Sequence, residues 1–154
     1  MLSLAGTADP AIVAEAMLTP YFLKIPPKSL DRNDFDHVMP LVDGLKTEDA
    51  AATLVAFAAK AVSRGLEHCP SPPSAIYVTG GGRSNPAMMA ALRHATNANV
   101  LPVENVGLNG DFLEAQAFAY LAIRVARGLP TSGPSTTGVA AFVGGGKLSV
   151  PSGR

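Results

Sequence analysis

The sequence predicts an α/β domain with a short, mostly parallel sheet and about four to five helices. Three observations predict it. The β-forming run Ala75-Ile76-Tyr77-Val78 leads through three consecutive glycines, Gly80 to Gly82, into Asn85-Pro86, a helix N-cap and first residue. A long amphipathic stretch precedes that run, and a second short apolar run, Val100 to Val103, follows the helix after it. Helix, strand, glycine turn, helix and strand in that order are the signature of a parallel α/β unit. With 154 residues, the chain is read as a single domain over 1–154 with its own core.

Taken from the start, Asp9-Pro10 reads as N-cap and N1 of a helix carrying Ile12, Val13, Ala16 and Met17, which Thr19-Pro20 ends. Tyr21 to Ile25 form an apolar patch. Pro26 to Phe35 is polar and begins with two prolines, so it reads as an ordered loop, with a plain solvated connector as the simpler account. Thr47 is the expected N-cap of the long helix, with Glu48 and Asp49 placed where the macrodipole favours carboxylates. Ala51, Leu54, Val55, Ala58, Val62 and Leu66 then mark one apolar face, expected to pack on the sheet. The prolines between Cys69 and Pro73 end that helix.

After the glycine turn, Met88, Met89, Leu92 and Ala95 give the next helix an apolar side. Pro102 lacks a ladder donor and marks the second strand as an edge or a strand end. Glu104 to Gly110 form a loop returning toward the strand ends. Asp111 is expected to open another helix, with Phe112, Ala115, Phe118, Ala119, Ala122 and Ala126 on a broad apolar side, largely buried, until Gly128 and Pro130 stop it. Val139 to Val143 reads as a last strand, broken by Gly144 to Gly146. Two strands and a possible third make a thin sheet for so many helices, and an uncovered edge or face is expected.

Composition excludes several classes. The formal net charge is zero and lysines and arginines are scattered, so neither nucleic acid nor an anionic membrane is an expected partner. The single cysteine, Cys69, cannot form an internal disulfide and suits a reducing cytoplasm. No basic, then apolar leader is seen, and no segment is long and apolar enough to span a bilayer, so a cytoplasmic protein is expected. His37, His68 and His94 share no helical face, and no metal site is expected. The Gly-x-Ser-x-Gly elbow of hydrolases is missing.

Two features invite chemistry. Glycines at 80, 81 and 82 remove every Cβ from the turn, letting a nucleotide phosphate or sugar hydroxyl approach the backbone; a tight turn that binds nothing is an equal reading. Asp111 and Glu114 are spaced as a capping box, or else place a carboxylate at the mouth of a cleft beyond the strand ends.

Four stretches carry a family resemblance. Pro26-Pro27-Lys28-Ser29-Leu30-Asp31-Arg32, then Val78 to Pro86, then Asp111 to Ala122, then Pro134-Ser135-Thr136-Thr137-Gly138 resemble, in order, the C-terminal part of anhydro-N-acetylmuramic acid kinases. The resemblance implies a partial RNase H-like domain of the actin-like ATPase and sugar kinase superfamily. It implies ATP and Mg²⁺ in the complete enzyme, an amino sugar substrate, and a role in cell-wall recycling. By the same resemblance Gly80, Gly81, Gly82 and Asn85 lie on the nucleotide side, Glu114 faces the sugar, and Lys28, Ser29 and Arg32 lie near the cleft. The family's Gly-Thr-Ser-x-Asp-Gly phosphate loop and catalytic aspartate have no counterpart here, so no catalytic residue is expected in the chain. The alternatives are a non-catalytic nucleotide-binding or dimerisation module, with a homodimer as the expected assembly, and the corresponding piece of another sugar kinase.

Overall fold

Asp9 begins the first well-formed helix for the reason its position predicts. Its Oδ1 accepts the N–H groups of Ala11 and Ile12 at 2.8 and 3.2 Å, and Pro10 needs no such partner. A computed structural model describes residues 2–150. In chain order the elements are α1 (Leu2–Ala5), α2 (Pro10–Ala16), α3 (Met39–Val42), α4 (Thr47–Leu66), β1 (Ala75–Val78), α5 (Pro86–Thr96), β2 (Asn99–Pro102), α6 (Leu113–Ala126) and α7 (Pro134–Thr137). Short 3₁₀ turns at Pro20–Leu23, Arg32–Val38, Gly81–Ser84 and Val103–Val106 link them. The α/β class is as expected. β1 and β2 pair in parallel, Ala75 opposite Asn99 and Val78 opposite Pro102, as a two-stranded sheet.

α4 organises the interior. Its Phe57 joins Ala16, Phe22 and Val38 in one buried cluster, where Phe57 meets the Phe35 ring edge-on at 5.3 Å. Two residues on, and so on the other side of the helix, Ala59 joins Met89, Leu92 and Val100 in a second cluster between α4, α5 and the sheet. The N-terminal segment is tied to the same helix. Thr53 Oγ1, in a side chain only 1 % exposed, accepts the Asp9 N–H at 2.9 Å and donates to the Asp49 carbonyl at 2.7 Å. Gly6 lies so near α4 that a Cβ would fall 2.0 Å from the Glu48 carbonyl oxygen.

Four expectations are corrected. Lys46, not Thr47, is the N-cap of α4, and no side chain caps that end. The buried residues of α4 are Ala52, Thr53, Phe57 and Ala59, beside the predicted stripe, while Val62 is exposed. A helix between two clusters is buried on two sides, and a single-stripe pattern misplaces its centre. Val139 to Val143 is no strand but makes one antiparallel bridge, Ser132 with Val143. α6 begins at Leu113 and, far from being buried, buries no residue at all: Phe118 is 65 % and Tyr120 60 % exposed. The expected apolar side, Phe112, Ala115, Phe118, Ala119, Ala122 and Ala126, is exposed throughout, and only Leu113, Leu121, Arg124 and Val125 are half-buried among the described residues.

Helix opening follows packing. Amides in the middle of α6 are expected to exchange with deuterium at least about tenfold faster than those of α4 around Phe57. Equal protection of the two helices would show that α6 is covered in solution.

Candidate functional site

Because β1 and β2 are parallel, the loops leaving them emerge at the same edge of the sheet, where open α/β folds bind ligands. The first loop is the glycine turn. Gly80 has φ 69° and ψ −171°, a conformation that is essentially glycine's alone. Its N–H donates to the Gly110 carbonyl at 3.1 Å, and Thr79 Oγ1 donates to the same oxygen at 3.2 Å. The turn then tightens into the 3₁₀ segment Gly81–Ser84 and enters α5 at Asn85, whose Oδ1 accepts from Ala87 and Met88 as the sequence predicts.

Arg83 joins this turn to the second loop. Its guanidinium donates to three oxygens: the Gly80 carbonyl at 2.8 Å, Glu104 Oε1 at 2.8 Å and Asp111 Oδ1 at 2.7 Å. Glu104 Oε1 also accepts the Gly110 N–H at 3.1 Å. The Arg83 side chain is only 11 % exposed, although both carboxylates reach solvent. Gly110 makes room for it, since a Cβ there would lie 2.4 Å from Arg83 Nε. Charge-assisted bonds of this kind hold the ionised forms. The Asp111 and then the Glu104 hydrogen bonds raise the Arg83 pKa. Glu104 is held below the ordinary 4.5, first by its own backbone N–H and then by Arg83.

The structure therefore places the predicted residues unevenly. Gly80, Gly81, Gly82 and Asn85 form one turn, and Asp111 is pulled against it by Arg83. Asp111 does not cap α6: Phe112 holds the N-cap position without a side-chain bond, so the Asp111–Glu114 capping box is not formed. Glu114 is exposed on the first turn of α6. Lys28 and Ser29 lie in a different loop, against Thr137 and Gly138, and the Arg32 side chain is outside the described residues. Sequence reading missed Arg83, Glu104 and Gly110. Their signal was opposite charges in the two loops that follow parallel strands. Among the described residues no group of His, Cys, Asp and Glu converges on a metal position, and no helix is long and apolar enough to cross a membrane.

Residues 2–148 match the family model described as anhydro-N-acetylmuramic acid kinase. The chain belongs to that family. It is 58 % identical over 146 residues to an anhydro-N-acetylmuramic acid kinase of Roseobacter denitrificans, a match covering 95 % of this chain and 39 % of the relative. A Ruegeria relative of the same description is 58 % identical over 148 residues, 96 % of this chain and 40 % of the relative. Anhydro-N-acetylmuramic acid kinase 1 of Jannaschia is 56 % identical over 153 residues, 99 % of this chain and 41 % of the relative. The chain thus spans about two-fifths of the length of the curated kinases it matches.

The Glu104 shift carries a pH dependence with a definite sign. A carboxylate whose folded pKa is depressed stabilises the fold fully above its unfolded value, and that contribution is lost as pH falls through the folded value. Below about pH 4.5 the melting temperature of the native chain should therefore fall more steeply than that of Glu104→Gln. Parallel curves would contradict the clamp. Gly110→Ala, which displaces Arg83, should likewise flatten the acid dependence.

Proposed function

We propose that this chain is the C-terminal portion of a two-domain sugar kinase of the actin-like ATPase fold, and that its glycine turn receives the nucleotide. One observation carries the reading: the fold itself does not require all three glycines. Only Gly80 has a positive φ. A Cβ at Gly81 would meet nothing within 4 Å, and one at Gly82 would only touch a Met88 side-chain carbon at 4.0 Å. Glycines that the protein does not need for its own packing leave backbone open to a ligand.

The local charge narrows which part of a nucleotide fits. Arg83 is engaged by two carboxylates and the Gly80 carbonyl, so it is not available to a phosphate, and Glu104 and Asp111 leave the rim net negative. Ribose hydroxyls or the base suit such a rim better than free phosphate. The exposed Glu114, three residues after Asp111 in the sequence, is assigned to hydroxyl or amide groups of the amino sugar.

In the complete enzyme the reading is that ATP and water open 1,6-anhydro-N-acetylmuramic acid to N-acetylmuramic acid 6-phosphate. A general base takes the proton of the water that adds to the anomeric carbon, the bond from that carbon to the anhydro oxygen breaks, and that oxygen takes the γ-phosphoryl group of ATP as ADP leaves. No base is assigned to this chain. The Mg²⁺ that accompanies ATP supplies charge neutralisation at the phosphates, and the described residues offer no ligand set for it. The exposed α6 favours a second reading, a module whose main task is association, with a homodimer as the simplest case.

Both readings are open to measurement. ATP at ten times a millimolar dissociation constant should raise the melting temperature by about 3–6 °C. Gly81→Ala should keep the melting temperature of the free protein but abolish that rise, whereas Gly80→Ala should lose about 1–3 kcal/mol of stability. A melting temperature indifferent to ATP would overturn the nucleotide assignment, and clear phosphorylation of the anhydro sugar by the pure chain would overturn the partial-enzyme reading. Sedimentation as a monomer at every concentration would contradict the homodimer.

A further inference from the structure

The Pro26–Ser29 loop and the Pro134–Gly138 segment, more than a hundred residues apart in sequence, are brought into contact. Gly138 has φ 76°, and a Cβ there would fall 2.5 Å from the Pro27 carbonyl oxygen, so the two loops meet backbone to backbone. Between them lies an open cleft of about 310 Å³ lined by Lys24, Pro27, Lys28, Ser29, Thr137 and Gly138. No carboxylate lines it.

Lys28 is the unusual member. The side chain is half-buried, and its Nζ donates to the Tyr21 carbonyl at 3.2 Å and the Lys24 carbonyl at 2.9 Å while lying 4.4 Å from the centre of the Tyr21 ring. An ammonium group has three N–H donors, so one remains after those two bonds. Its charge meets no carboxylate within 4 Å among the described residues, where the ion pairs are those of Arg64 and Arg83. A lysine held in place by carbonyls and a ring face has given up part of its hydration and rotamer freedom without acquiring a counter-ion. Ser29 adds a hydroxyl to the same cleft.

The geometry points to Lys28, with Ser29, as the binding site for a small oxyanion, the terminal group of a phosphate ester or a carboxylate. The site is separate from the glycine turn, with which it shares no lining residue, so the nucleotide assignment can fail without affecting it. A compact, fixed point charge beside hydroxyls suits such a group, and with Lys24 also at the cleft and no carboxylate lining it, no local anion competes.

The test is a titration of the whole chain with inorganic phosphate, followed by the amide signals of Lys28, Ser29 and Gly138 in ¹H–¹⁵N spectra at constant ionic strength. Sodium acetate runs as the carboxylate arm and sodium chloride as the control. The expected result is saturable shifts with phosphate, acetate or both, and none with chloride; whichever anion saturates at lower concentration identifies the source. Ser29→Ala, which leaves the lysine clip intact, should weaken binding at least about threefold, and Lys28→Gln should remove saturation. Shifts that are linear, or equal in chloride, would overturn the site. So would a Lys28→Gln protein that melts lower but retains the saturable response, because Lys28 would then be a structural clip alone.

Discussion

The Arg83 guanidinium is the constraint on which the candidate site depends. It accounts for three features that are otherwise unrelated: why the turn after β1 closes on the loop after β2, why position 110 is glycine, and why Asp111 does not cap the helix it precedes. A planar five-donor group spreads its N–H bonds to a carbonyl and two carboxylates set apart around it, a reach that the compact ammonium of a lysine does not match. The cost is local. With Arg83 committed, the rim carries more negative than positive charge, and the turn keeps no free cation of its own.

Much of this was legible in the sequence because it rests on local chemistry. Asp9-Pro10 and Asn85-Pro86 cap helices through bonds two and three residues away, and β1, the glycine turn and α5 follow one another as their residue types dictate. The parallel pairing of two short strands was also foreseeable from their order. What was not legible depends on distant partners. Asp111 and Glu114 have capping-box spacing, but an arginine 28 residues upstream takes the Asp111 carboxylate instead. α4 shows an apolar stripe, yet it lies between two clusters, and a pattern with one period cannot say which flanks are covered.

α6 shows the same limit from the other side. Its apolar residues were identified correctly and its burial was not, because burial belongs to the neighbours rather than to the helix. An apolar helix with Phe118, Tyr120 and Ile123 facing solvent is poorly stabilised by its own packing. The matched kinases are about two and a half times as long as this chain. The turn, Arg83 and the return loop form a unit that does not draw on α6.

The most direct measurement of the clamp is the hydrogen exchange of the Gly80 amide, which donates to the Gly110 carbonyl only while the two loops are held together. In the native chain that amide should be protected. In Arg83→Met its exchange should approach that of an open loop, with the amides of α4 unchanged. Equal protection of Gly80 with and without the guanidinium would contradict the account, since the loops would then be joined by something other than Arg83.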